Sequence, residues 1–385
     1  MLNLPDITGA PVAVDTETTG LYPDDGARLT TVSVATEGFS AAFPFALQGA
    51  PNLSQQDYAD LVTWLKKQRL IFQNAKFDLT MFKRGYSPSI DLEDQFFWDT
   101  KEATGLLWPI GPWKLNEKNH QKEYTTSLKP VAEWLWGKKE TEAEGRLKGF
   151  LSDLPKNLRK RYDLVPWPIH GPYSQQDAVL TYKLWQKQQH AVSAAVLLIP
   201  RELELEKVLY RMENRGIGFD AERGRELANG LRLTLDQLSE QLPVRPTRQQ
   251  MVKYWWDEDD AAPGWLNRTD KTGQVQLDEY ALWKLAKMNY PFAQTFKDYL
   301  SVKDALSRWY DEDAWVGKVG SDGRLRVDYR QNGAMTGRLS GARVNLQAVP
   351  QDHTLSSLVP SVRELFTPKP GYELWEIDLS QAELR

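Results

Sequence analysis

Acidic side chains in three short contexts carry most of the chemistry that this sequence could do. Asp15 and Glu17 lie two apart in VAVDTETTG, and on a strand positions i and i+2 face the same way. Two carboxylates on one strand face, at a strand end that meets the Thr19-Gly20 turn, can share divalent cations. Asp78 lies in QNAKFDLTMF and Asp177 in GPYSQQDAVLTY. Each reads as helical, with Asn74 and Tyr173 four residues earlier on the same face. Taken singly, such acids are more often solvated charges or caps. Taken together, the four point to a metal centre. Phosphodiester hydrolysis by two cations about 3.5–4 Å apart needs several hard oxygen ligands at one place. One cation makes a nucleophile of its bound water, and the other stabilises the leaving 3′ oxygen. Acids packed this closely repel one another without cations, so Mg²⁺ or Mn²⁺ is expected, two ions bound together with substrate. A tyrosine beside the last aspartate can orient the attacking water.

A second constellation is basic. GRLRVDYRQNGAMTGRLSGAR holds Arg324, Arg326, Arg330, Arg338 and Arg343 against the single acid Asp328 past Gly323. Arginines interleaved with Gly, Ser, Thr and Asn suit phosphate contact and close backbone approach. Further on, Asp378 ends the apolar run ELWEID, which reads as a buried strand. An acid there is desolvated unless it binds something, and a metal ion is the natural partner.

The elements that must position these groups follow from periodicity. Residues 11 to 45 alternate as strands, Ser54 to Lys67 is an amphipathic helix with Ser54 as its cap, RLIFQ is a short strand, and NAKFDLTMFKRG is a helix ending at Gly85. That order implies a mixed sheet flanked by helices. Residues 108 to 168 read as irregular apart from SLKPVAEWLWG. From Tyr173 helix resumes, breaks at Pro200 and stops at Gly216. Residues 221 to 310 are mostly helical, with a polar excursion at DEDDAAPGWLNRTDKTGQ. The sequence turns β-like from Val319.

Bulk properties agree. Across 385 residues, 41% are hydrophobic and 26% charged, ordinary for a globular chain of two or three domains. No stretch approaches the roughly 20 apolar residues of a membrane span, and the N-terminus lacks a signal pattern, so a cytoplasmic protein is expected. The absence of cysteine excludes disulfides and thiolate chemistry. His120, His170, His190 and His353 show no ligand spacing and read as surface or loop residues. A net charge of −4 does not exclude nucleic acid, because a local basic groove can hide in the sum.

DTETTG, the NAKFD segment and YSQQD resemble the three exonuclease motifs of the DEDD superfamily, in its tyrosine-bearing branch. The resemblance implies a ribonuclease-H-like α/β domain, residues 1–195, acting as a 3′→5′ exonuclease. Asp15, Glu17, Asp78 and Asp177 would be its metal ligands, Tyr173 would orient the water, and Asn74 would help hold the substrate end. WDTKEATGLLW, with Asp99, is similar to the segment between the second and third motifs. Phe77, Phe82 and Tyr22 are candidates for stacking on frayed bases, with core packing the stronger reading for the two phenylalanines.

The second half resembles family A DNA polymerases, the DNA polymerase I type. RELELEKVLYRMENRGIGFD is similar to the entry helix of their thumb, AMTGRLSGARVNLQAVPQ to their TGRLS…NLQ stretch, and VRELFTPKPGYELWEIDLSQAELR to motif A. This implies a mainly helical thumb at 196–315 and the start of a palm at 316–385. Asp378 would be a polymerase metal ligand, and Gln381 and Glu383 would line the nucleotide pocket. Arg324, Arg326, Arg330, Thr336, Arg338, Ser340, Asn345 and Gln347 would contact DNA. Leu379 and Ala382 depart from the family's tyrosine and isoleucine. Arg363 and Arg385 match family positions without a settled role.

The sequence stops soon after Asp378, before the nucleotide-binding helix and second catalytic aspartate of that family. Polymerisation is therefore expected only with a second polypeptide supplying fingers and remaining palm, whether the break reflects a split gene, an intron or intein, or a truncation. A bacterial cell, with a bacteriophage gene as one source, is the implied setting. The alternatives are a free-standing single-strand nuclease with a DNA-clamping tail, and a non-catalytic DNA-binding subunit.

Overall fold

The structure is a computed structural model, and it describes residues 2–109, 111–115, 122–191, 194–256, 262–270, 272–331, 333, 337–351 and 356–377. The chain divides into two compact units, Met1–Asn214 with Tyr329–Ser340, and Arg215–Asp328 with Gly341–Arg385. The division falls one helix beyond the boundary expected at 195/196.

The first unit is built on a five-stranded mixed sheet. Its strands are β1 (Pro11–Thr18), β2 (Leu29–Thr36), β3 (Phe39–Pro44), β4 (Arg69–Phe72) and β5 (Phe96–Asp99), in the order β3-β2-β1-β4-β5. β1 runs antiparallel to β2 and parallel to β4, and β4 is parallel to β5. The expected α/β class is therefore the observed one. Alternation along β1 sorts its side chains. Val12 and Val14 join Val32, Val34 and Phe72 in one core, together with Leu61 and Leu65 of helix α1 (Gln55–Leu65). On the opposite face Ala13, Ala35 and Ile71 meet Ala178. Small residues at that contact let a helix lie close to the strands.

Ser54 caps α1, accepting from the Asp57 amide at 3.1 Å. Helix α2 (Ala75–Thr80) passes directly into a π turn at Met81–Tyr86. Helix α3 is Thr100–Leu107. The stretch expected to be irregular is more regular than its sequence suggests. It holds a short hairpin (Trp113–Leu115 with Lys122–Tyr124), helix α4 (Leu128–Trp136) and helix α5 (Glu142–Asp153). Leu147, Leu151 and Val165 form a small core of their own, while Leu128, Val131 and Ala132 pack on Leu180 and Leu184. Each helix buries only three or so apolar side chains, which is why the pattern was faint.

Helix α6 (Trp167–Gln189) begins one and a half turns before Tyr173, with Pro172 inside it. His170 on this helix is fully buried, contrary to the surface position expected for every histidine; it lies between the Thr31 hydroxyl and the Tyr162 carbonyl. Helix α7 (Ile199–Arg215), expected to open the thumb, buries Ile199, Leu203 and Tyr210 in the first unit's core.

The second unit is mainly helical: α8 (Ala221–Gln241), α9 (Arg248–Trp255), α10 (Glu279–Lys287) and α11 (Ala293–Ala305). Its core joins Leu231, Met251, Leu282, Phe296, Trp309 and Tyr310 to Phe219 and Leu365. A small sheet places Ile217–Phe219 between Arg324–Leu325 and Phe366–Thr367. The expected buried strand at ELWEI is absent among the described residues. Trp375 and Ile377 are 81% and 84% exposed, and no described strand pairs with the segment to satisfy its backbone. No described helix is long and apolar enough to cross a membrane.

Candidate active site

The site grows from the face of β1 that carries Ala13, Asp15 and Glu17. Register places Asp15 opposite Ser33 and Glu17 opposite Thr31 of β2. Both β2 residues are polar and fully buried, and both grip α6. The Ser33 hydroxyl donates to the Ser174 carbonyl at 2.7 Å, and Thr31 Oγ1 lies 3.1 Å from His170 Nε2. His170, Tyr173, Ser174 and Asp177 are spaced i, i+3, i+4 and i+7, one face of a helix. The grip on 170 and 174 therefore aims 173 and 177 at the strand carboxylates.

Asp15, Glu17 and Asp177 converge, each offering a carboxylate oxygen within 4.8 Å of the others. Among the described residues this is the cluster that could hold a metal ion. Asp15 Oδ2 is buried and has no hydrogen-bond partner, an orphaned acceptor of the kind a cation would satisfy. Burial pushes the Asp15 carboxyl up to about 6, with the Lys129 ammonium pulling it down. Burial, then the charge of Asp15, hold Glu17 well above the usual range, again opposed by Lys129. The set is all hard oxygen and short of positive charge, so it fits Mg²⁺ or Mn²⁺.

Asp78, the fourth acid expected to converge, is not part of this cluster. β4 pairs with β1 only through Ala13, so the Thr16 amide beyond that point has no strand beside it. Asp78 Oδ1 fills the gap, accepting from Thr16 N at 2.9 Å and from its hydroxyl at 2.6 Å. Burial and the nearby Asp15 hold its carboxyl well above the ordinary range, while the Thr16 hydrogen bonds oppose them.

Asn74 departs from expectation. It precedes α2 instead of sharing a helix face with Asp78, and adopts a left-handed conformation with φ 87°. Its Oδ1 accepts from Lys101 Nζ at 2.7 Å.

Two residues that matter here were not legible as site residues. Lys129, in the first turn of α4, forms an ion pair with Asp177 and sits 4.7 Å from the centre of the Tyr173 ring. Burial draws its ammonium down to about 8 against the pull of Asp15, Glu144 and Glu17. A lone lysine in an apolar helix gives no sign of what it faces. Asp99 does carry a signal, since D-T-K-E is a capping pattern. Its Oδ1 accepts from the Lys101 and Glu102 amides, and its Oδ2 from the Asn74 and Ala75 amides.

The remaining predicted residues fall elsewhere. Phe82 is fully buried and Phe77 half-buried against the same core, so both pack. Arg324 donates to the Arg215 and Gly216 carbonyls at 2.5 and 3.0 Å. Arg326 is buried and pairs with both oxygens of Asp322. The Arg326 guanidinium is thus held inside the fold, where phosphate contact was expected, while Arg324 stays half-exposed. Arg330, Arg338, Asn345 and Gln347 are exposed, and Ser340 half-exposed. Asn345 accepts from the Gln347 amide at 3.1 Å, closing a turn. Thr336, Asp378, Gln381 and Glu383 lie outside the described residues.

Comparison with known proteins places these units. Residues 2–192 match the family described as 3'-5' exonuclease, and residues 242–385 match DNA polymerase family A. DNA polymerase I of Pseudomonas aeruginosa is 30% identical over 236 residues, which cover 58% of this chain and 25% of that protein. The DNA polymerase of Escherichia phage T5 is 24% identical, covering 97% of this chain and 44% of the relative. The chain thus spans less than half the length of these relatives. Among solved structures, the polymerase domain of Pol1 from M. smegmatis, in complex with DNA primer-template and dNTP, matches with a TM-score of 0.58 at 20% identity; it covers 94% of this chain and 55% of that one. That likeness is one of fold. Residues 2–192 thus belong to the 3'-5' exonuclease family and residues 242–385 to DNA polymerase family A.

Proposed function

We propose that the first unit removes nucleotides from single-stranded or mismatched DNA 3′ ends by two-metal hydrolysis. The observation that carries this is the meeting of Asp15, Glu17 and Asp177 beneath α6, with an unpartnered buried oxygen among them. Asp15, Glu17 and Asp177 would hold one divalent ion, and Asp78, from the far side of Thr16, would help hold a second. Bound there, such ions would supply a hydroxide nucleophile and stabilise the leaving 3′ oxygen.

The protein's own groups have separable tasks. Burial and the charges of Glu17 and Asp15 hold the Tyr173 phenol far above its ordinary range. Its hydroxyl would orient a water by donating a hydrogen bond. Lys101 fixes the Asn74 amide, so what Asn74 offers a substrate end is its Nδ2 donor. Ser33 and Thr31 hold the helix register on which Asp177 depends.

The test is degradation of a 5′-labelled primer with a mismatched 3′ end in Mg²⁺. The full chain should shorten it stepwise. Asp15→Ala with Glu17→Ala should slow this by on the order of a hundredfold or more. A wild-type chain that leaves the primer intact, or a double variant that cleaves equally well, refutes the reading. Exposed Arg330, Arg338, Asn345 and Gln347 are proposed DNA contacts of the polymerase region. Polymerisation is proposed only with the parts of the family fold that relatives carry beyond the matched share, on this polypeptide or a second one. Primer extension after mixing with such a part tests it. We place the protein in the cytoplasm of a bacterial cell, on the setting of its relatives.

A further inference from the structure

We propose that Lys129 is a tethered counter-ion of the carboxylate site, and that divalent cations bind there only in exchange for it. The inference rests on the reading of Asp15, Glu17 and Asp177 as metal ligands.

Lys129 enters from the first turn of α4, with only 11% of its side chain exposed. Its ammonium pairs with Asp177, lies 4.7 Å from the Tyr173 ring centre, and acts electrostatically on Asp15 and Glu17. A single positive group thus faces three acids. It lessens their mutual repulsion, which would otherwise strain the fold whenever no other cation is present.

The same placement is incompatible with a metal ion on the same oxygens. A divalent cation needs its ligand oxygens at about 2.0–2.6 Å, and an ammonium already on Asp177 would meet it as a like charge at close range. The four-carbon lysine stem is flexible enough to swing the ammonium away without moving the helix. Metal affinity is then reduced by the fraction of time that the ammonium occupies the site. A residue that merely packed there would have no such effect.

Isothermal titration of Mn²⁺ into the metal-stripped full chain, without DNA, measures this directly. Lys129→Met and Lys129→Gln should bind Mn²⁺ roughly tenfold more tightly than wild type, and Lys129→Arg, which keeps the charge, should stay near wild type. Equal or weaker binding in both neutral variants overturns the proposal. It would show that Lys129 shapes the site instead of competing for it. The double variant of Asp15 and Glu17 to Ala should bind no Mn²⁺, which marks the titrated site. If wild type takes up no Mn²⁺, the reading of the site falls with the inference. If wild type binds and the neutral variants match it, the inference alone falls. Should the neutral variants fail to fold, acetylation of wild-type lysines read by mass spectrometry decides: Mn²⁺ should raise labelling at Lys129, and unchanged or lowered labelling overturns the proposal.

Discussion

Asp99 accepts four backbone N–H groups and so starts two helices with one carboxylate. One oxygen caps α3, and the other holds the turn from which α2 carries Asp78. Each cap is worth about 0.5–2 kcal/mol. Asp99→Ala should therefore destabilise the first unit by about 2 kcal/mol, read as a lower urea midpoint with an unchanged slope. It should also reduce cleavage, because Asp78 loses its anchor. Spacing on one strand anticipated that Asp15 and Glu17 share a face, and Asp177 meets them there, because i+2 on a strand is local geometry. Asp78 is not in that cluster and does not share a helix face with Asn74. Residue types and spacing could not expose Lys129, whose partner Asp177 is on another helix. Contacts between elements leave no local periodicity.

At the scale of the element, α7 carries Glu206, buried in the first unit. One of its oxygens lacks a partner, and burial followed by the charges of Asp99 and Glu102 hold its carboxyl well above the ordinary 4.5. A folded-state value above the unfolded one means stability present below pH 4.5 and lost as pH rises through the folded value. Glu206→Gln should therefore raise the Tm of the first unit at pH 8 by several degrees, for a gain of about 1–3 kcal/mol. Near pH 4 it should change little. Gly216 ends α7 with φ 61°, where an added Cβ would lie 2.8 Å from the Leu325 carbonyl. Gly216→Ala should cost about 1–3 kcal/mol of second-unit stability in a denaturant titration. That stop was legible in the sequence because left-handed backbone favours glycine. The strand expected at ELWEI was not realised, because an apolar run becomes a strand only where a neighbour completes its hydrogen bonds.

For the whole molecule, two separate cores predict two unfolding transitions in calorimetry. Mn²⁺ should raise only the transition of the first unit, because a ligand stabilises the unit it binds in proportion to RT ln(1 + [L]/Kd). EDTA should reverse the rise, and the double variant of Asp15 and Glu17 to Ala should abolish it. A shift of both transitions, or of neither, would contradict a metal centre confined to the first unit.

The hold of Ser33 and Thr31 on α6 has a consequence for how the first unit can vary. Sliding α6 by one residue would turn Asp177 by about 100° away from the strands, so the helix works as a ruler with two fixed marks. Length changes are tolerable in the chain leading up to it, around 154–166. A single insertion between His170 and Asp177 would leave the fold recognisable and take Asp177 away from Asp15 and Glu17, abolishing the proposed hydrolysis.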